Sequence, residues 1–154
     1  MRTPQQLSLK GRALRYLSMR EHSRIELGRK LARYAEEGDD LEALLDFLEQ
    51  NNWLSTERFS ESLINRRGAR YGNSRIVAEL QQHGVSGEAL KELKSGLIET
   101  EASRAAEVWR RKFGEVALDA AGRAKQMRFL LQRGFSQAAV RHAIKGVDEE
   151  DGGL

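Results

Sequence analysis

The chain has 154 residues, 40% hydrophobic and 32% charged, so it can bury a core and is not disordered in composition. It contains no cysteine, which excludes disulfide frameworks, thiolate zinc sites and cysteine nucleophiles. No apolar run approaches the roughly 18–20 residues of a membrane span, and the N-terminus lacks a secretory pattern, so we expect a cytoplasmic protein.

Apolar residues recur at helical spacing along the chain, most closely at Leu41, Leu44, Leu45 and Leu48, and no segment shows convincing strand alternation. The only proline is Pro4. The spacing predicts nine helices, over residues 8–19, 24–36, 40–50, 56–70, 74–83, 87–98, 101–113, 120–133 and 137–145.

Helix boundaries have sequence signals of their own. Ser23 and Glu26 fit a capping box, in which each side chain satisfies a free amide of the first turn. Further serines stand where N-caps are needed, at Ser55, Ser86 and Ser136. Glycines stand where a left-handed residue would end a helix, at Gly38, Gly72, Gly84, Gly114 and Gly134.

The pattern Leu80-x3-Gly84-Val85-Ser86-x3-Leu90 recurs fifty residues later, from Leu130 to Val140. A similar pattern with a longer turn runs from Leu27 to Leu44. This period predicts an all-α, elongated array of three tandem three-helix repeats. The predicted repeats span residues 8–54, 55–99 and 100–146, and a flexible acidic tail covers 147–154.

No pattern in the sequence indicates catalysis. The three histidines, His22, His83 and His142, lack metal-ligand spacing, and no phosphate-binding or nucleophile motif occurs. We interpret His83 as a structural residue at a helix end, and Trp53 and Trp109 as core anchors. The sequence therefore predicts a protein that is not an enzyme and has no cofactor or bound metal.

Charges are segregated although the net charge is only +3. Eight bases and two acids lie between Lys10 and Arg33, whereas seven acids and no base lie between Glu36 and Glu49. Between residues 104 and 145, ten bases face three acids. Such segregation favours a polyanionic or acidic partner, although ordinary solvated helix faces would look the same.

The most informative basic stretch runs from Arg66 to Arg75 and contains four arginines and no acid. We expect Arg66 and Arg70 to share one helix face, with Tyr71 beside them and Arg75 opening the next helix. Guanidinium groups suit phosphates and carboxylates because paired N–H bonds meet two oxygens. The alternative is that these arginines pair with acids of a neighbouring repeat.

Two other basic groups accompany this stretch, one on the second predicted helix and one in the last third of the chain. The complete set of candidate residues for binding a partner or DNA is Arg24, Arg29, Lys30, Arg66, Arg67, Arg70, Tyr71, Arg75, Arg110, Arg111, Lys112, Lys125, Arg128 and Arg133.

Three blocks of the sequence, in order, resemble the RecX family of RecA regulators. The first runs from Arg20 to Leu31, the second from Arg58-Phe59 through Tyr71-Gly72 to Gly84-Val85-Ser86, and the third from Arg111-Lys112-Phe113-Gly114 to Arg133-Gly134-Phe135. Together they cover almost the whole chain, from about residue 8 to 145.

The resemblance implies tandem three-helix repeats that bind the RecA–single-stranded DNA filament in its groove. It also implies restraint of filament extension, ATP hydrolysis, strand exchange and coprotease activity. We expect a monomer, and direct contact with single-stranded DNA stays open. The alternatives are a helix-turn-helix-like DNA-binding module and, in a third class, a metal-dependent hydrolase or nuclease.

Overall fold

The computed structural model describes the backbone of residues 7–152 and the side chains of residues 7–145. This part of the chain is helical and has no strand, which confirms the all-α prediction. Its helices are α1 (Leu9–Met19), α2 (Arg24–Ala32), α3 (Leu41–Gln50), α4 (Thr56–Gly68), α5 (Asn73–Gln82), α6 (Gly87–Lys112), α7 (Ala120–Gln132) and α8 (Gln137–Gly152).

The described part of the chain forms two compact units, one of residues 7–62 with 83–85 and the other of residues 63–82 with 86–152. In the first unit, α1, α2 and α3 bury a shared leucine core. Leu45 and Leu48, at the periodic positions of α3, lie in this core with Leu27 and Leu31 of α2. Each helix is too short to be stable alone, so this shared burial holds the unit together.

Only one of the two hydrogen bonds of the predicted capping box forms at the start of α2. The Ser23 hydroxyl accepts from the amide of Glu26 at 3.1 Å, as expected. The Glu26 carboxylate instead pairs with Arg20, at 2.6 Å between the closest atoms. Burial alone would raise the pKa of Glu26, but the hydrogen bonds and charge of Arg20 outweigh it and lower that pKa to about 2.

The other predicted cap residues take their expected positions, with one difference in bonding. Ser55 and Ser136 accept from amides three residues later, at 3.2 and 3.1 Å. Ser86 precedes α6 but makes no cap hydrogen bond with its side chain.

The core of the second unit is centred on Trp109, whose side chain is fully buried beside Leu130, Phe135 and Val140. Its indole N–H donates to Gln126 Oε1 at 3.1 Å, so the polar atom of the buried ring is satisfied. The prediction that Trp109 anchors the core is confirmed. The same prediction is wrong for Trp53, which lies in the turn after α3, is 41% exposed and meets Phe47 edge-on.

The separate helices predicted at 87–98 and 101–113 are one helix, α6, of 26 residues. Residues 98–101 (Ile-Glu-Thr-Glu) contain no glycine or proline, so nothing in the sequence requires a break there. The predicted boundary between the second and third repeats falls within this helix. The backbone of the predicted acidic tail is described as far as Gly152 and continues α8, whereas the side chains of the tail lie outside the described residues.

A buried histidine joins the end of α1 to α2 in the first unit. The Nδ1 atom of His22 lies 3.0 Å from the carbonyl oxygen of Arg20, and Nε2 lies 2.9 Å from Lys30 Nζ. The ring is therefore neutral, with Nδ1–H donating to the carbonyl and Nε2 accepting from the ammonium group. Burial lowers the pKa of His22, and the positive charges of Arg20 and Lys30 lower it further.

Because the folded protein binds this proton more weakly than the unfolded chain, we expect the free energy of unfolding to fall as the pH drops through about 6.5. Residue-resolved NMR titration should give His22 a pKa below that value. His22→Gln should flatten the pH dependence of urea unfolding in this range. A His22 pKa at or above the unfolded value would contradict this account.

Candidate functional site

Two turns of the second unit meet through their backbones. The turn between α4 and α5 places the Gly72 amide 2.8 Å from the carbonyl oxygen of Arg133, in the turn between α7 and α8. The amide and hydroxyl of Ser74 both donate to the Gly134 carbonyl, at 3.2 and 2.9 Å. A Cβ atom at Gly72 would overlap the backbone of Gly134 and Phe135, so only glycine fits there.

This close approach corrects the prediction for Gly72, which does not have a positive φ. The left-handed conformation predicted at Gly38, Gly84, Gly114 and Gly134 is confirmed, with φ between 77° and 94°.

The carboxylate of Glu101, on α6, accepts hydrogen bonds from residues at both turns. Its Oε2 atom accepts from the amides of Asn73 at 2.9 Å and Ser136 at 3.3 Å, and its Oε1 atom accepts from the Ser136 hydroxyl at 2.7 Å. The side chain is buried, and these donors replace the water that the charge has lost. One carboxylate thus caps the first turns of α5 and α8 together.

Arg104, one turn further along α6, fixes the same corner. Its guanidinium donates to the Tyr71 carbonyl at 2.9 Å and to the Asn73 side-chain oxygen. Burial lowers the pKa of Arg104, and the nearby charge of Glu101 partly opposes that shift. The backbone on both sides of Gly72 is therefore held by α6.

Cations and aromatic rings alternate across these turns, in what we call the cation–aromatic row. Arg75 and Arg133 lie 5.2 and 5.4 Å from the ring centre of Tyr71. Arg133 also lies 5.0 Å, and Lys112 5.3 Å, from the ring centre of Phe129. Arg75 donates in addition to the Gln132 carbonyl at 2.7 Å. Cation–π contacts orient these groups without cancelling their charge.

On one side of the row lies a cleft of about 290 Å³, here named the basic cleft. Its charged lining residues are Arg70, Arg111, Lys112 and Arg133, and Phe129 also lines it. No carboxylate lines the cleft. The four cations make no ion pair within the described residues, although Arg111 donates to the Ala69 carbonyl.

On the other side lies a cleft of about 340 Å³, lined by Arg67, Tyr71, Arg75 and Glu79 among others. Here Arg67 makes two hydrogen bonds to the Glu79 carboxylate, at 2.9 and 3.0 Å. This hydrogen bonding raises the pKa of Arg67. The predicted arginine corner is therefore divided between a cleft in which Glu79 neutralises Arg67 and the basic cleft, which no carboxylate lines. Arg70 lies in the turn after α4, so the prediction that it shares a helix face with Arg66 is wrong.

The remaining candidates make none of the contacts of the cation–aromatic row. Arg24 binds three acids of α3, Glu42, Asp46 and Glu49, and Arg110 binds Glu107 at 3.1 Å. Lys30 donates to His22 and lies 4.9 Å from the ring centre of Tyr16. Four candidates are exposed without a partner among the described residues: Arg29, Arg66, Lys125 and Arg128.

Three residues of this site were not among the predicted ones: Glu101, Arg104 and Phe129. Phe129 follows a basic residue in the third block of the family resemblance, and that is its only sequence signal. Glu101 and Arg104 act through backbone groups about thirty residues away, which no local pattern reveals.

Comparison with known proteins gives the same family throughout. The family models described as RecX, first three-helix domain, and RecX, third three-helix domain, match residues 10–48 and 99–144. The Regulatory protein RecX of Herminiimonas arsenicoxydans is 63% identical over 95% of this chain and 97% of that protein. The protein of the same name from Herbaspirillum seropedicae is 62% identical over 94% and 96%.

A crystal structure of RecX from Lactobacillus salivarius has the same fold. Its TM-score is 0.71 at 19% sequence identity, over 91% of this chain and 94% of that one. At this identity the similarity shows the fold alone.

Gly72→Ala should lower the free energy of unfolding by about 2–3 kcal/mol, because the added methyl group overlaps backbone that cannot move without breaking the contact between the turns. Gly96→Ala is the matched control, since it stands inside α6 and an added Cβ there would meet nothing within 4 Å. It should raise stability by about 0.5–1 kcal/mol. Equal effects in urea unfolding would show that the contact at Gly72 is unimportant.

Proposed function

This chain belongs to the RecX family, and from that premise we propose that it regulates RecA by binding the RecA–single-stranded DNA filament. Binding in the groove of the filament would restrain filament extension, ATP hydrolysis, strand exchange and coprotease activity. The chain would do this without catalysis of its own and as a monomer in the cytoplasm. No described helix has both the length and the apolar character to cross a membrane.

The observation that carries this proposal is the basic cleft beside the cation–aromatic row. Four cations without neutralising carboxylates give this surface a strong positive potential. A nucleoprotein filament offers phosphates and acidic side chains, which are the groups that such a surface attracts. The cleft lies on turns fixed by Glu101, so its charges are held in place before a partner binds.

The effect on RecA would follow from contacts with more than one filament subunit. A second contact from the same chain is intramolecular, so it adds affinity at a small further entropic cost. A chain bound across neighbouring subunits favours the arrangement that it fits. It therefore opposes the rearrangement that ATP turnover requires.

A helix-turn-helix-like DNA-binding module is the alternative, because the matched family models describe three-helix domains. In such modules, residues near the start of a recognition helix read base edges. Here the cations concentrate on turns and at the end of α6, which favours binding to a backbone or to acidic groups over base reading.

The test is a titration of the purified chain on RecA-coated single-stranded DNA, bare single-stranded DNA and duplex DNA, with RecA ATP hydrolysis measured in parallel. We expect preference for the coated strand and inhibition of hydrolysis. Arg70→Glu with Lys112→Glu should reduce inhibition at least about tenfold, because both exposed cations line the basic cleft.

The matched control is Lys91→Glu with Lys94→Glu, which makes the same change in net charge on α6 outside the basic cleft. It should inhibit like the unaltered chain. Sequence-specific duplex binding would favour the alternative, and failure of the unaltered chain to inhibit RecA would refute the proposal.

A further inference from the structure

The basic cleft gathers four cations without a carboxylate in one space, whereas several arginines elsewhere in the chain are matched with acids. Arg24 meets three carboxylates, Arg67 is held by Glu79, and Arg110 by Glu107. The four cations of the basic cleft have no such partner among the described residues, and they share a space of about 290 Å³. Like charges this close repel one another, and a bound anion would remove that repulsion.

The chain holds these cations in place by contacts that leave them charged. Arg111 donates to the Ala69 carbonyl, Arg133 lies against the rings of Tyr71 and Phe129, and Lys112 lies near Phe129. The donors in the cleft are therefore already restricted in conformation, so binding an anion costs less conformational entropy. This is the arrangement expected of an anion site rather than of a solvated helix face.

Size and chemistry identify the anion. The volume lies at the lower end of ligand pockets, which suits a single phosphodiester group with its sugar better than a folded peptide. Guanidinium forks match phosphate oxygens with paired N–H bonds. Phe129 is already in contact with Lys112, Arg133 and, edge-on, Phe113, so its ring is not free to stack on a base.

We propose that the basic cleft binds a backbone phosphate of single-stranded DNA directly and does not read the base. This inference rests on the proposed function, in which the RecA filament supplies the single strand. It adds the DNA backbone as a direct ligand of this chain. Arg70 and Lys112, at the open edge, would contact the phosphate or its neighbour, while Arg111 and Arg133 would bind from the fixed side.

The test uses fluorescence anisotropy with a labelled thymidine oligonucleotide of about 15 residues, over a range of NaCl concentrations, without RecA. Arg70→Gln with Lys112→Gln should weaken binding about tenfold and make the log–log salt slope shallower by about 0.7 for each phosphate contact that is lost. Neither side chain donates a hydrogen bond within the described residues, so the fold should be retained. Circular dichroism checks this.

Lys91→Gln with Lys94→Gln removes the same charge outside the cleft and should bind within about twofold of the unaltered chain. An oligonucleotide of abasic sites should bind as well as the thymidine strand, because only the backbone is contacted. Equal loss in both double variants, or loss of binding to the abasic strand, would overturn the inference. Competition by polyglutamate as effective as by DNA would also overturn it and assign the cleft to an acidic protein surface.

The result of this experiment can be distinguished from the result of the test of the proposed function. If the chain inhibits RecA but Arg70→Gln with Lys112→Gln leaves binding to bare DNA unchanged, the phosphate site is wrong and RecA regulation stands. If the cleft binds the strand as described but the chain does not inhibit RecA, the site stands and the proposed function is wrong.

Discussion

A single buried carboxylate, Glu101, determines the geometry on which the candidate site depends. A buried charge is unfavourable unless hydrogen bonds replace its water, and Glu101 receives three, from Asn73 and Ser136. Because these donors belong to the starts of α5 and α8, satisfying the carboxylate also fixes the two helices in register. The glycine at position 72 then allows the turns to touch.

This constraint places charges that are far apart in sequence next to one another. Arg75 and Arg133 lie against the same ring of Tyr71, although 58 residues separate them in the sequence. The same geometry separates the cations into two classes. Glu79 neutralises Arg67 on one side, and the cations of the basic cleft stay open on the other. An anionic partner therefore meets fewer unpaired cations than the number of basic residues in the sequence suggests.

Local features of the fold were predictable because they depend on neighbours in the chain. The periodic leucines of α3, the serine caps at positions 55 and 136, and the left-handed glycines required only short-range spacing. The family was also recognisable from sequence blocks, and relatives more than 60% identical confirm it.

The main error about the candidate site comes from long-range pairing, and two other errors concern a turn and a helix boundary. Glu79 neutralises Arg67, whereas no acid lines the basic cleft. The sequence does not reveal this difference, because it depends on the direction of the chain after Gly68 and Gly72. Trp53 looked like a core residue but ends in an exposed turn, since composition does not reveal which face of a turn is covered. The break expected before residue 101 is absent because no residue there stops the helix.

Hydrogen exchange in Glu101→Ala tests most directly whether one carboxylate couples the two turns. The variant removes both accepting oxygens, so neither amide keeps its side-chain partner. The account predicts that the amides of Asn73 and Ser136 both exchange faster than in the unaltered chain, while amides in the leucine core of the first unit do not change. Unchanged protection at either amide would contradict it.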